Sequence, residues 1–224
     1  MNNYHHALQD FEKALALSPD DPKIFHNRGN VYSTMESFEL AIKDYEQAIQ
    51  LSNGTKKKYF HSKGIAFEKI GQIDEALNSF QNALNLDADY LPTLFHFGSV
   101  HYSKGNFNDA KINFTKVIDL QEKEKPKETH KLAWEARGKT FQKLGDHDSA
   151  LRDLQQAVYL DNENPKFLFL RGISHLKLKQ VNPALNDFEK SIEFGLGKPE
   201  VYNFLGIAYK IQKNPTLSLY VILF

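Results

Sequence analysis

Small and apolar residues recur along this chain at spacings of three and four. Phe25, Gly29 and Tyr32 make one run, and Ala41, Tyr45 and Ala48 make the next. Phe60, Gly64 and Phe67 followed by Ala76, Phe80 and Ala83 repeat both runs, and Trp134, Gly138 and Phe141 return to the first. Ala110 with Phe114 and Ala184 with Phe188 return to the second. Such spacings put residues on one face of an α-helix, so each double run predicts two helices with one apolar face apiece. The double runs are themselves periodic. Gly29, Gly64, Gly98, Gly138, Gly172 and Gly206 stand 35, 34, 40, 34 and 34 residues apart. A period of this length predicts an all-α chain of stacked helix pairs, because one pair cannot bury its apolar face alone.

Glycine inside a helix costs about 1 kcal/mol relative to alanine, so six at one phase need a packing reason. Close approach of the two helices of a pair supplies it, since a side chain there would wedge them apart. Gly71, Gly105 and Gly145 fall between the helices of a pair, and Gly54, Gly195 and Gly197 between successive pairs. Asp74, Asn106 and Asp146 stand where a side chain can cap the second helix.

These residues resemble the tetratricopeptide repeat family, whose signature is an aromatic, Leu-Gly, Tyr, then Ala-x-x-x-Phe and a closing Pro. The resemblance covers nearly the whole chain and implies a right-handed α-solenoid of stacked antiparallel helix pairs. With each glycine as the eighth position, the expected array runs 22–56, 57–90, 91–130, 131–164, 165–198 and a truncated 199–224, preceded by a lone second helix in 1–21. The 91–130 repeat is six residues longer, through the charged run 121–127, a helix extension stopped at Pro126. His101 and His175 replace the usual aromatic at the eleventh position and are expected as packed imidazoles, and Ser218 replaces an alanine.

Hydrophobic residues make up 41% of 224, enough for a sizeable core. Twenty-eight basic residues balance 28 acidic ones, so no global field draws the chain to nucleic acid or anionic lipid. With no cysteine, no disulfide framework or thiolate metal site is available, which fits a reducing compartment. No apolar run approaches the ~20 residues of a membrane span. The expectation is a cytoplasmic protein with no membrane partner.

Binding is therefore sought on the surface that the resemblance implies, the concave face lined by first-helix positions 2, 5, 6, 9, 12 and 13. Those positions hold Lys23, Lys58, Lys69, Lys139, Lys143, Lys166, Lys177 and Lys210 against Glu68, Glu135 and Glu200. Eight minus three leaves a bias of +5 on a neutral chain, which predicts a preference for acidic or carboxylate-bearing peptides. His26, Asn27, Asn30, His61 and His96 make the early part polar, together with Ser33 and Ser62. Asn203 belongs to the late part, where Phe169, Leu170, Ile173, Leu176, Phe204 and Ile207 predict an exposed apolar patch suited to an amphipathic helix.

Other chemistry finds no footing. The two-carboxylate clamp of chaperone-binding relatives would fall on His26, Asn30, Ser62, Pro92 and His96, of which only Asn30 matches. The asparagine ladder of sugar-transferase arrays would fall on Asn27, Ser62, His96, Ala136, Leu170 and Phe204, and is lost after the first. His26, His61 and His96 lie on successive helices about 8–10 Å apart and lack co-ligands, so no metal is expected. No phosphate loop, zinc-protease helix or nucleophile elbow occurs. No catalytic residue and no cofactor are expected. The function read from the sequence is a non-enzymatic protein-binding scaffold. The alternatives are a regulatory or targeting segment of a larger protein or enzyme, or a structural part of cilium assembly or intracellular transport, since the wording at 25–30 resembles large cilium-associated arrays. Tyr4, Leu8, Phe11 and Leu15 at one end and 219–224 at the other are apolar where capping faces are usual, so self-association through uncapped ends is also expected.

Overall fold

The computed structural model describes residues 2–122 and 130–213. The long charged run, Pro126, Ser218 and the apolar tail lie wholly or largely outside the described residues. Twelve helices occur among the described residues: α1 (Asn2–Leu17), α2 (Pro22–Thr34), α3 (Phe38–Leu51), α4 (Lys57–Lys69), α5 (Ile73–Leu86), α6 (Leu91–Ser103), α7 (Phe107–Glu122), α8 (His130–Lys143), α9 (His147–Leu160), α10 (Pro165–Lys177), α11 (Val181–Glu193) and α12 (Pro199–Lys213).

Local chemistry sets the helix ends. Asp21 accepts from the Lys23 amide at 2.9 Å ahead of Pro22, and Asn164 accepts from the Lys166 and Phe167 amides ahead of Pro165. Asp146 caps α9 by accepting from the Ser149 amide at 3.0 Å. Gly71 and Gly145 take φ of 78° in the turns inside their pairs. Glu36 and Lys179 do the same at φ 59° and 62°, a left-handed conformation that costs a residue with a Cβ about 1 kcal/mol. The turn geometry thus persists where the glycine does not.

The chain divides into two units between Gly105 and Asn106. In the N-terminal unit α2 pairs with α3 and α4 with α5; α3 packs on α4, α5 on α6, and α1 on α2. In the C-terminal unit α8 pairs with α9 and α10 with α11, while α7, α9 and α11 each pack on the next first helix. Within each unit the first helices also touch directly, α2 to α4, α4 to α6, α8 to α10 and α10 to α12. These are stacked antiparallel helix pairs, as the periodicity predicts.

Four of the six glycines of the column have the role their cost demands. A Cβ built on Gly64 would lie 2.5 Å from Phe80, on Gly29 2.8 Å from Tyr45, on Gly172 2.6 Å from Phe188 and on Gly138 2.9 Å from Leu154. Each bulky partner lies sixteen residues downstream and is almost fully buried, among alanines such as Ala41, Ala66 and Ala76. A second device spans the same interval. Arg28 donates two bonds to Asp44 at 2.8 and 2.7 Å, Arg137 two to Asp153 at 2.7 and 2.9 Å, and Arg171 two to Asp187 at 2.8 and 2.6 Å. Two-pronged pairing offsets the desolvation of a buried carboxylate. For Asp153 burial remains the larger influence and raises its pKa. His175 is buried, 2.6 Å from Gln180 Oε1, and His101 packs edge-on to Phe97 at 4.5 Å. No helix among the described residues is long and apolar enough to cross a membrane.

Candidate protein-binding surface

Direct contact between alternate helices places the first-helix positions of each unit side by side. In the N-terminal unit this surface is polar. Lys23, Asn27, Asn30, Lys58 and Lys69 are exposed, and Asn30 Oδ1 accepts from the Tyr45 hydroxyl at 2.9 Å. That bond fixes the amide of Asn30, while burial lifts the Tyr45 pKa to about 12. His61 and His96 are half-buried and meet edge to face at 5.4 Å.

His26 departs from the exposed position expected of it. It is 8% exposed, its ring held 4.7 Å from Tyr59 and 5.6 Å from Tyr45, with Nε2 3.1 Å from Ser62 Oγ. Two aromatic neighbours, one from α3 and one from α4, close over it. Burial first, then the nearby Lys58, lowers its pKa.

The C-terminal unit centres on Glu135, which sequence reasoning had entered only as one negative charge. Its carboxylate is buried on α8, 2.6 Å from Lys166 Nζ on α10 and 3.9 Å from Lys139 Nζ one turn along. Lys139 is half-buried and Lys166 exposed, so two of the five lysines here converge on one acid. Lys143 and Lys210 are exposed and Lys177 is half-buried; Asn203 is exposed near the start of α12. Gln142 joins α8 to α10 by donating to the Leu170 carbonyl at 2.7 Å and Ser174 Oγ at 2.8 Å. An acid at the fifth position of one repeat and a lysine at the second position of the next was the signal for the Glu135 bridge.

The exposed apolar patch expected on this unit is corrected. Phe169 is 7% exposed and Leu176 5%, both inside the core, with Phe188 of α11 at 5.9 Å and Phe204 of α12 at 5.7 Å from the Phe169 ring. Ile173, Phe204 and Ile207 pack against the same cluster and are half-buried. Rings from the next two helices thus cover Phe169 and Leu176. No group of three or more metal-binding side chains converges among the described residues.

Models of tetratricopeptide repeats match residues 22–53, 58–90, 91–124 and 132–164, and a further TPR repeat model matches residues 1–36. FK506-binding protein 59 of Drosophila melanogaster is 33% identical over 86 residues, 37% of this chain and 20% of its own length. Tetratricopeptide repeat protein 16 of Homo sapiens is 22% identical over 216 residues, 93% of this chain and 21% of its own length. The chain thus spans about a fifth of the length of these relatives. Among solved structures, YrrB, a TPR protein with an unusual peptide-binding site, shares the fold at a TM-score of 0.73 and 18% identity, over 91% of this chain and 97% of that one.

Proposed function

Since the chain belongs to the tetratricopeptide repeat family, whose members bind other proteins, we propose that it is a non-enzymatic scaffold holding an acidic or carboxylate-bearing segment of another protein on its first-helix surfaces. One observation carries the preference for acid. At its first-helix surface positions the C-terminal unit carries Lys139, Lys143, Lys166, Lys177 and Lys210 against Glu135 and Glu200, and a single buried carboxylate serves two of the lysines. The surface keeps a net charge of +3. Charge of this kind steers encounter and selects partners more than it adds affinity. The similarly folded YrrB is a TPR protein with an unusual peptide-binding site.

Fluorescence anisotropy with a labelled Glu-rich peptide and its Gln counterpart tests the reading. Lys143 and Lys210 are the positions to reverse, because reversing Lys139 or Lys166 would also strand Glu135. Lys143→Glu with Lys210→Glu weakens the acidic peptide about tenfold and leaves the neutral one unchanged, at about 1 kcal/mol or less per exposed charge. Equal affinity of the two peptides for the wild-type chain refutes the preference. A second reading, a regulatory or targeting array within a larger protein, is favoured by the length of the relatives.

A further inference from the structure

The N-terminal unit places three imidazoles on successive first helices, and peptide binding by lysines makes no use of them. His26 reaches from α2 to Ser62 on α4, with Nε2 and Oγ 3.1 Å apart. His61 reaches from α4 to Thr93 on α6, with Nδ1 and Oγ1 3.0 Å apart, and Thr93 is fully buried. His96 of α6 stands against His61 at 5.4 Å and against Phe80 at 6.0 Å, with its Nδ1 3.4 Å from Glu68 of α4. These contacts bridge α2 to α4 and α4 to α6.

Among the described residues no carboxylate pairs with His61. From α5 it faces the Phe80 ring at 5.9 Å, from the turn before α6 the Tyr90 ring at 5.6 Å, and from α6 Thr93 and His96. Carboxylates of the surrounding elements pair with cations, Asp44 with Arg28, Glu46 with Lys63 at 2.8 Å, Asp87 with Lys57 and Asp74 with Lys104, while Glu68 lies 3.4 Å from the His96 ring. On the α2 side stands His26, and Lys58 near the start of α4 itself places a positive charge close to His26. Protonated His61 would therefore sit among aromatic rings beside a second imidazole, and separation of α4 from α6 is the way to hydrate it.

We infer that His26, His61 and His96 form an acid-sensitive seam: their ring contacts tie α2 to α4 and α4 to α6, and proton uptake at His61 parts α4 from α6. The first-helix surface of the N-terminal unit is then intact at neutral pH and rearranged in acid. The inference concerns the seam alone and does not depend on what the surface binds.

Burial, with His96 second, pushes the His61 pKa down to about 4 from 6.5. Linkage between a seam that closes on neutral His61 and one that opens on the charged form favours opening by roughly 10- to 30-fold between about pH 7.5 and pH 5. Amide hydrogen exchange on the full chain, corrected for intrinsic rates, reads this directly. Protection of α4 and α6 is expected to fall by that factor while α11 holds, and His61→Gln is expected to remove the fall. Protection independent of pH, or the same fall in His61→Gln, overturns the seam. Nitrogen-15 titration of the wild-type imidazoles gives a second reading without a variant. His61 must take up its proton in the pH interval in which α6 opens; protonation near pH 6.5 with α6 still protected also overturns it.

Discussion

Replacing Gly64 with alanine puts a methyl carbon into the ring of Phe80. The added Cβ falls 2.5 Å from Cε1, 2.6 Å from Cδ1 and 3.0 Å from Cζ. Carbon atoms rest about 3.5 Å apart or more, so the ring must retreat by about 1 Å. Phe80 has no exposed surface and is enclosed by Ala76, Val100, Ile65, Phe67 and Phe97, which leaves no direction of easy retreat. Overpacking of a closed core costs about 1–3 kcal/mol, and a displacement this large belongs at the upper end. Alanine returns about 1 kcal/mol of helix propensity. The net expectation is a loss of about 2 kcal/mol, a fall in Tm of about 4–8 °C for a chain of this size. Urea and thermal unfolding followed by far-ultraviolet circular dichroism measure it. Gly206 provides the internal comparison, because a Cβ there meets no described atom within 4 Å. Gly206→Ala should be neutral or up to about 1 kcal/mol more stable. If both variants move the same way by the same amount, the packing explanation of the glycine column is wrong.

Arg171→Met leaves Asp187, 1% exposed, without its two-pronged partner and should cost about 3–5 kcal/mol, while Arg171→Met with Asp187→Leu recovers most of the loss in a double-mutant cycle. Stability should depend on pH through His61. Its folded pKa of about 4 lies below the unfolded 6.5, so the unfolded chain binds more protons in between; the contribution is complete above pH 6.5 and disappears as pH falls toward 4. About 3 kcal/mol should be lost over that interval, with His26 acting in the same direction, and comparison with His61→Gln in urea titrations isolates the His61 share. Glu135→Gln frees Lys139 and Lys166 from their shared acid and should tighten an acidic peptide about threefold in anisotropy, with a steeper salt dependence; unchanged affinity would detach those lysines from the binding surface.

Helix pairing was legible because it is written in period. Phe25, Gly29 and Tyr32 return as Phe60, Gly64 and Phe67, and repetition at a fixed phase has few structural explanations. Arg28, Arg137 and Arg171 were equally periodic, each sixteen residues ahead of an aspartate, but beside the glycine they read as part of its wording. The surface was harder to read because position numbers assign a face without saying what closes over it. Phe169 sits at a first-helix surface position and is nevertheless core, since Phe188 and Phe204 arrive from two later helices. Counting charge failed similarly at Lys139 and Lys166. A sum treats side chains as independent, whereas Glu135 couples Lys139 on its own helix to Lys166 on α10, 27 residues further along the chain.

The glycine contacts and the Arg–Asp pairs both join residues sixteen apart, and none of the side-chain bonds described between neighbouring pairs joins residues more than 36 apart. The bonds described thus include no single clasp that must fail before the rest can move. Pulled from one end, the chain should come apart by pairs, each 34-residue period releasing about 110 Å of extended chain before the next resists. A force–extension trace would then be a staircase of small steps, and an unfolding machine would meet the protein one helix pair at a time.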